Sequence, residues 1–121
     1  MSVLIQALRY DNLNKMTPES IVKKLQEYMK SIPNVQSCYI FGSFLTKNFG
    51  KDSDIDLIIV LKESNIPFIE RPFEFSSLID FIPALDIRIY TTEEFNNLLN
   101  STGECGFWHS VKKSMKQIYS L

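Results

Sequence analysis

The chain has 121 residues, 45% of them hydrophobic and 22% charged, enough for one ordinary domain around a single core and too few for a second independent lobe. Thirteen Lys and Arg against fourteen Asp and Glu leave a net charge of −1, which excludes an extended nucleic-acid footprint, because that needs clustered cations. No apolar run is long enough to span a bilayer and no charged-then-apolar leader opens the sequence, so a cytoplasmic location is expected and a membrane one is not.

The first element with clear signals is "TPESIVKKLQEYMKSI". Thr17 serves as N-cap, Pro18 fits the first helical position and Glu19 the first turn. Ile21, Val22, Leu25, Tyr28, Met29 and Ile32 recur at helical spacing and predict one buried face, ended by Pro33-Asn34. "VQSCYIF" is short and rich in β-formers, a strand that stops at Gly42 and carries Cys38 as a small core residue. With Cys38 and Cys105 far apart and no Cys/His cluster, zinc is not expected.

"SFLTKNF" has helical or turn character and leads into the loop "GKDS". "DIDLIIVL" is then a near-continuous apolar run, the pattern of a strand covered on both faces and hence of the sheet centre. From Pro67 to Pro83 the pattern weakens, and a short helix is expected around Ser76 to Ile82. "ALDIRIY" reads as a third strand, with Asp86, Arg88 and Tyr90 on one face and Leu85, Ile87 and Ile89 on the other.

Thr91 to Glu94 matches a capping box, which predicts a helix packing through Phe95, Leu98 and Leu99 and ending at Gly103. A last helix is expected from about Phe107 to Tyr119, with Phe107, Trp108, Val111, Met115, Ile118 and Tyr119 inward. Lys112, Lys113 and Lys116 then suit its solvated face, with contact to an acidic partner or RNA as the sharper reading. The whole reads as one α/β or α+β domain over residues 1–121, a sheet of three to five strands with helices packed on one face.

The chemistry concentrates in "IFGSFLTKNFGKDSDIDLIIV". Asp54 and Asp56 lie two apart at a strand start, so the period of two puts both carboxylates on one face, roughly 6 to 7 Å apart. Left uncompensated they repel; a divalent cation reverses the sign by favouring both ionised forms. Asp86 is a third strand carboxylate, and if its strand lies beside that of Asp56 all three meet. Such a set is a hard-oxygen site for Mg²⁺ or Mn²⁺. Gly42 lets the backbone turn tightly after its strand, and a helix opening at Ser43 would aim free N–H groups at an anion. These parts together describe phosphoryl or nucleotidyl transfer with two metal ions.

Taken in order, strand, Gly-Ser, short helix, polar loop, Asp-x-Asp and a later apolar-Asp-apolar strand resemble the nucleotidyltransferase superfamily of the DNA polymerase β type. "GSFLTKNFGKDSDIDLIIV" is similar to its GS-x(10)-D-x-D signature, with Gly42, Ser43, Asp54 and Asp56 at the motif positions and Asp86 of "LDIRIY" at the third acid. The looser remainder resembles the single-domain members called minimal nucleotidyltransferases.

The resemblance implies a mixed sheet with helices mainly on one face and Mg²⁺ (or Mn²⁺) held by Asp54, Asp56 and Asp86. It also implies ATP or another nucleoside triphosphate bound at Gly42 and Ser43. Minimal members often work beside a separate helical HEPN-type protein as toxin–antitoxin pairs, adding AMP to a hydroxyl of that partner. Two alternatives stay open: an antitoxin-like subunit that binds nucleotide and turns over little, and transfer to a small hydroxylated molecule such as an aminoglycoside. The family commonly has a small residue where Lys47 stands and Arg where Thr46 stands; the Lys47 amine is a candidate phosphate contact, and its length a candidate obstruction. The oligomeric state is also open. Phe68, Phe73 and Phe75 of "PFIERPFEF" mark a candidate partner surface, with capping of the sheet core as the other reading.

Overall fold

The computed structural model describes residues 18–41, 55–82, 85–101 and 106–121. The elements in chain order are α1 (Pro18–Lys30), β1 (Val35–Phe41), β2 (Ile55–Leu61), a 3₁₀ helix (Phe68–Phe75), α2 (Ser76–Phe81), β3 (Leu85–Thr91), α3 (Thr92–Ser101), α4 (Phe107–Ser114) and β4 (Lys116–Ser120). The strands form one mixed sheet in the order β3-β2-β1-β4. β2 is antiparallel to β1 and parallel to β3, and β4 runs antiparallel to β1 on its other side.

The central position of β2 follows from its composition. Every residue of Ile55–Leu61 except Asp56 is buried, which only a strand with neighbours on both edges and cover on both faces can achieve. A parallel β2–β3 pair also needs a long crossover, supplied by the 3₁₀ helix and α2. The crossover packs Phe75, Leu78 and Ile82 onto one face of the sheet. α1 joins them through Ile21, Leu25 and Met29, and Ile55, Leu57, Ile59, Leu61, Ile87 and Ile89 meet both from below. Each fully buried Leu, Ile or Met there contributes about 1.5–3 kcal/mol.

This is the larger of two apolar clusters among the described residues. The smaller lies on the opposite face, where Phe95 of α3 and Val111 of α4 cover Phe41, Ile58 and Val60, with Tyr39, Tyr90, Leu99, Trp108 and Met115 around them. Helices thus cover both faces of the mixed sheet, α1, α2 and the 3₁₀ helix one and α3 and α4 the other.

Several expectations hold in detail. β1 coincides with "VQSCYIF" and Cys38 is fully buried. The Thr91–Glu94 capping box is formed in both directions: the Thr91 amide donates to Glu94 Oε1 at 2.8 Å and the Glu94 amide to Thr91 Oγ1 at 3.1 Å. Thr17, Gly103 and Cys105, by contrast, lie outside the described residues.

The last predicted helix requires correction. α4 ends at Ser114, Met115 is extended, and Lys116–Ser120 is a strand. Ile118 belongs to the larger cluster, on the face away from α4. The unpaired edge of β1 decides this, because its amides and carbonyls need partners and β4 supplies them, with Cys38 opposite Tyr119 and Tyr39 opposite Gln117. The weak stretch from Pro67 is also more ordered than its pattern suggests. It forms the 3₁₀ helix, which contains Pro72, in place of an α-helix whose ladder that residue would break.

Candidate active site

Pairing across the sheet places the side chains of the α3/α4 face in rows. Phe41 is opposite Asp56, and Asp56 is in register with Asp86. The next row along is Tyr39, Ile58 and Arg88, and the third is Ser37, Val60 and Tyr90. Because side chains alternate along each strand, all three rows point to one face. α3 and α4 cover its apolar side chains, while in the first row Asp56 is half-buried and Asp86 exposed. The first row therefore holds the two carboxylates of this face, Asp86 the more exposed.

Asp56 and Asp86 sit on neighbouring strands about 4.8 Å apart. Two carboxylates at that spacing repel by between about 1 kcal/mol in a water-like medium and about 4 kcal/mol at a typical protein-surface dielectric. A divalent cation between them turns the repulsion into ligation, and their all-oxygen donor set suits a hard ion such as Mg²⁺ or Mn²⁺. The pair thus fits two of the three carboxylates of the expected metal site. Among the described residues no group of three acidic or metal-binding side chains comes together. Asp54, the remaining predicted ligand, lies outside them, as do Gly42, Ser43 and Lys47. In the chain, Gly42 follows Phe41 and Asp54 precedes Ile55, so both flank the ends of β1 and β2 that carry the Phe41–Asp56–Asp86 row.

Two features of this face were not singled out from the sequence as site residues. Arg88 is half-buried two residues beyond Asp86, with its guanidinium near the Tyr90 phenol. Burial pushes the Tyr90 phenol up, and the Arg88 guanidinium pulls it the other way. Tyr90 is held in place by rings: Phe68 stacks on it at 5.2 Å and Trp108 meets it edge-on at 5.4 Å. The alternation of "DIRIY" holds as expected from the sequence, with Asp86, Arg88 and Tyr90 on one face of β3 and Ile87 and Ile89 on the other.

Behind the edge strand β3, Arg71 of the 3₁₀ helix is buried although charged. Its Nε donates to the Ile66 carbonyl at 2.8 Å and its Nη1 to the Ile89 carbonyl at 3.1 Å. Both guanidinium ends also reach the Glu94 carboxylate. That bidentate pair, with the capping box, holds the Glu94 carboxyl below its usual range. It also anchors β3, and with β3 the position of Asp86.

The family model described as "Polymerase beta, Nucleotidyltransferase" matches residues 23–120. The chain belongs to the polymerase β nucleotidyltransferase family. Within it, a curated relative from Methanocaldococcus jannaschii, "Putative protein adenylyltransferase MJ1379", is 25% identical over 79 residues, spanning 65% of this chain and 79% of its own length. Among solved structures, a "putative nucleotidyltransferase" from Sulfolobus solfataricus superposes with a TM-score of 0.51 at 24% identity, covering 74% of this chain and 78% of that one. A chain of the complex between a tri-AMPylated Shewanella oneidensis HEPN toxin and its MNT antitoxin aligns with a TM-score of 0.49 at 19% identity, over 87% of this chain and 74% of that one. The fold is thus that of a nucleotidyltransferase, and the chain is an enzyme of this class. No helix among the described residues is long and apolar enough to cross a membrane.

Proposed function

We propose that this nucleotidyltransferase moves AMP from ATP to a hydroxyl of a partner protein of the HEPN type, in the cytoplasm. The observation that carries the chemistry is the register of Asp56 with Asp86 on adjacent strands. A protein acceptor is supported by the adenylyltransferase relative, most of whose length this chain matches. It is supported too by the resemblance of the sequence to minimal nucleotidyltransferases.

In this reading Asp54, Asp56 and Asp86 hold Mg²⁺ or Mn²⁺, Gly42 and Ser43 cradle the triphosphate, and Lys47 contacts phosphate. The bound cations supply positive charge to the triphosphate and to the attacking oxygen. Asp56 and Asp86 contribute a fixed pair of carboxylates on rigid strands, so little reorganisation is needed when substrate arrives. The acceptor hydroxyl attacks the α-phosphorus, the bond to the bridging oxygen breaks, and pyrophosphate leaves with that electron pair while the hydroxyl gives up its proton.

The test is incubation of the purified chain with Mg-ATP and the product of the neighbouring gene, followed by intact-mass measurement of both. A gain of one or more AMP on the partner, with pyrophosphate released, is the expected result. Stoichiometric binding of ATP with neither product would favour the antitoxin-like alternative, and AMP appearing only on an added aminoglycoside would favour the small-molecule one.

A further inference from the structure

The 3₁₀ helix that anchors β3 carries the two most exposed large apolar side chains among the described residues, Ile69 and Phe73, with Phe68 exposed beside them. Ile69 is 81% exposed, Phe73 78% and Phe68 46%. Two acidic residues on the same short element, Glu70 and Glu74, are exposed as well. A solvent-facing Phe and Ile on an eight-residue segment are not needed by the core, since the segment is already fixed by buried Phe75 and Arg71. Large apolar side chains rimmed by charge characterise contact surfaces, and aromatic anchors carry much of the energy in such contacts.

The patch borders the site. Phe68 stacks on Tyr90, which stands on the same sheet face as Asp86 and four residues further along β3, about 13 Å at the usual strand rise. That span is small beside the width of an ordinary protein interface, which buries about 800 Å² on each partner. A protein of ordinary footprint seated on the patch therefore also covers the β3 edge beside Tyr90.

We infer that Phe68, Ile69 and Phe73, with Glu70 and Glu74, form the docking surface for the protein acceptor, and that the acceptor meets it with apolar side chains flanked by Lys or Arg. The inference rests on the protein-acceptor reading above. The signs are complementary: the acidic pair steers a basic partner and fixes its orientation, while the apolar side chains supply the affinity.

The experiment compares wild type, Ile69→Ser/Phe73→Ser and Glu70→Lys/Glu74→Lys, using the purified acceptor protein as probe. Three quantities are read: the Kd for the acceptor by biolayer interferometry, AMP transfer to it at sub-saturating concentration, and the melting temperature with and without Mg-ATP. Both variants should weaken binding and transfer at least tenfold, the charge-reversed one less so at high salt, with the melting temperature and its Mg-ATP response unchanged. Wild-type affinity and transfer in both variants would overturn the surface while leaving the function standing. A fall in melting temperature of several degrees in Ile69→Ser/Phe73→Ser would overturn it by showing that these side chains are covered within the chain. Loss of a wild-type dimer in that variant, seen by sedimentation with acceptor affinity intact, would assign the patch to a second copy. Absence of transfer by wild type would fail the function itself, and the assignment of the surface with it.

Discussion

Arg71 and Glu94 join the 3₁₀ helix to the start of α3 through a bidentate pair, and the same guanidinium caps the Ile89 carbonyl of edge strand β3. Removing Arg71 strands acceptors that its buried head had satisfied, which costs about 2–3 kcal/mol for bonds to a charged group. Arg71→Met should therefore lower the melting temperature by roughly 10 °C. Glu94, with 44% of its side chain exposed, is worth less, and Glu94→Gln should cost about 1 kcal/mol or under. Equal effects from the two substitutions would contradict the assignment of the main role to the buried guanidinium.

The pair also sets a pH dependence. The Glu94 carboxyl titrates below its ordinary value in the folded chain, so its contribution is present above the unfolded value of about 4.3 and is lost as pH falls through the folded one. The stability difference between wild type and Glu94→Gln, measured by urea unfolding, should be constant from pH 7 to 6 and shrink below about pH 4.5. A difference that grows on acidification would reverse the sign of the argument.

The opposite edge of the sheet gives a test of β4. Ile118 is buried in the larger cluster, so Ile118→Ala should destabilise by about 2–4 kcal/mol. Removal of residues 116–121 should lose more than Ile118→Ala does and promote association, because it uncovers the edge of β1. If chemical unfolding shows the truncated chain as stable and monomeric as wild type, the pairing of β4 with β1 is wrong.

Cys38 is fully buried and burial pushes its thiol far up. In a Cys105→Ser background, labelling by a thiol reagent at neutral pH should follow global unfolding and be negligible in the native protein. Rapid labelling without denaturant would mean that the β1–β4 region opens locally.

What could be read from the sequence and what could not divides along physical lines. β1, β2, β3 and the Thr91–Glu94 cap are specified by nearby residues, through alternation, continuous apolar runs and a three-residue spacing, so local reasoning reaches them. β4 is not: Val111, Met115 and Ile118 continue a helical period, and only the open edge of β1 makes Lys116–Ser120 a strand. Arg71 is hidden for the same reason, since its partners at Ile89 and Glu94 are brought to it only by the crossover. Of the candidate site, the Asp56–Asp86 register depended on which strands are neighbours, a condition that the sequence states but does not decide.

That register leads to a prediction about stability without substrate. Asp86 is exposed and one strand away from Asp56, so Asp86→Asn removes a repulsion of about 1 kcal/mol. In metal-free buffer its melting temperature should equal that of wild type or exceed it by a few degrees, while the rise given by Mg-ATP in wild type should be lost. A large loss of stability in Asp86→Asn would make the carboxylate structural.

In the proposed reaction, catalysis rests on the two register partners, Asp56 and Asp86. With α-labelled ATP, Mg²⁺ and the acceptor protein, the initial rate of label transfer should fall about a thousandfold or more in Asp56→Asn and in Asp86→Asn. The double variant should be little worse than either, as for residues that act as one unit. Wild-type rates in either single variant, with Mg-ATP still bound, would contradict it.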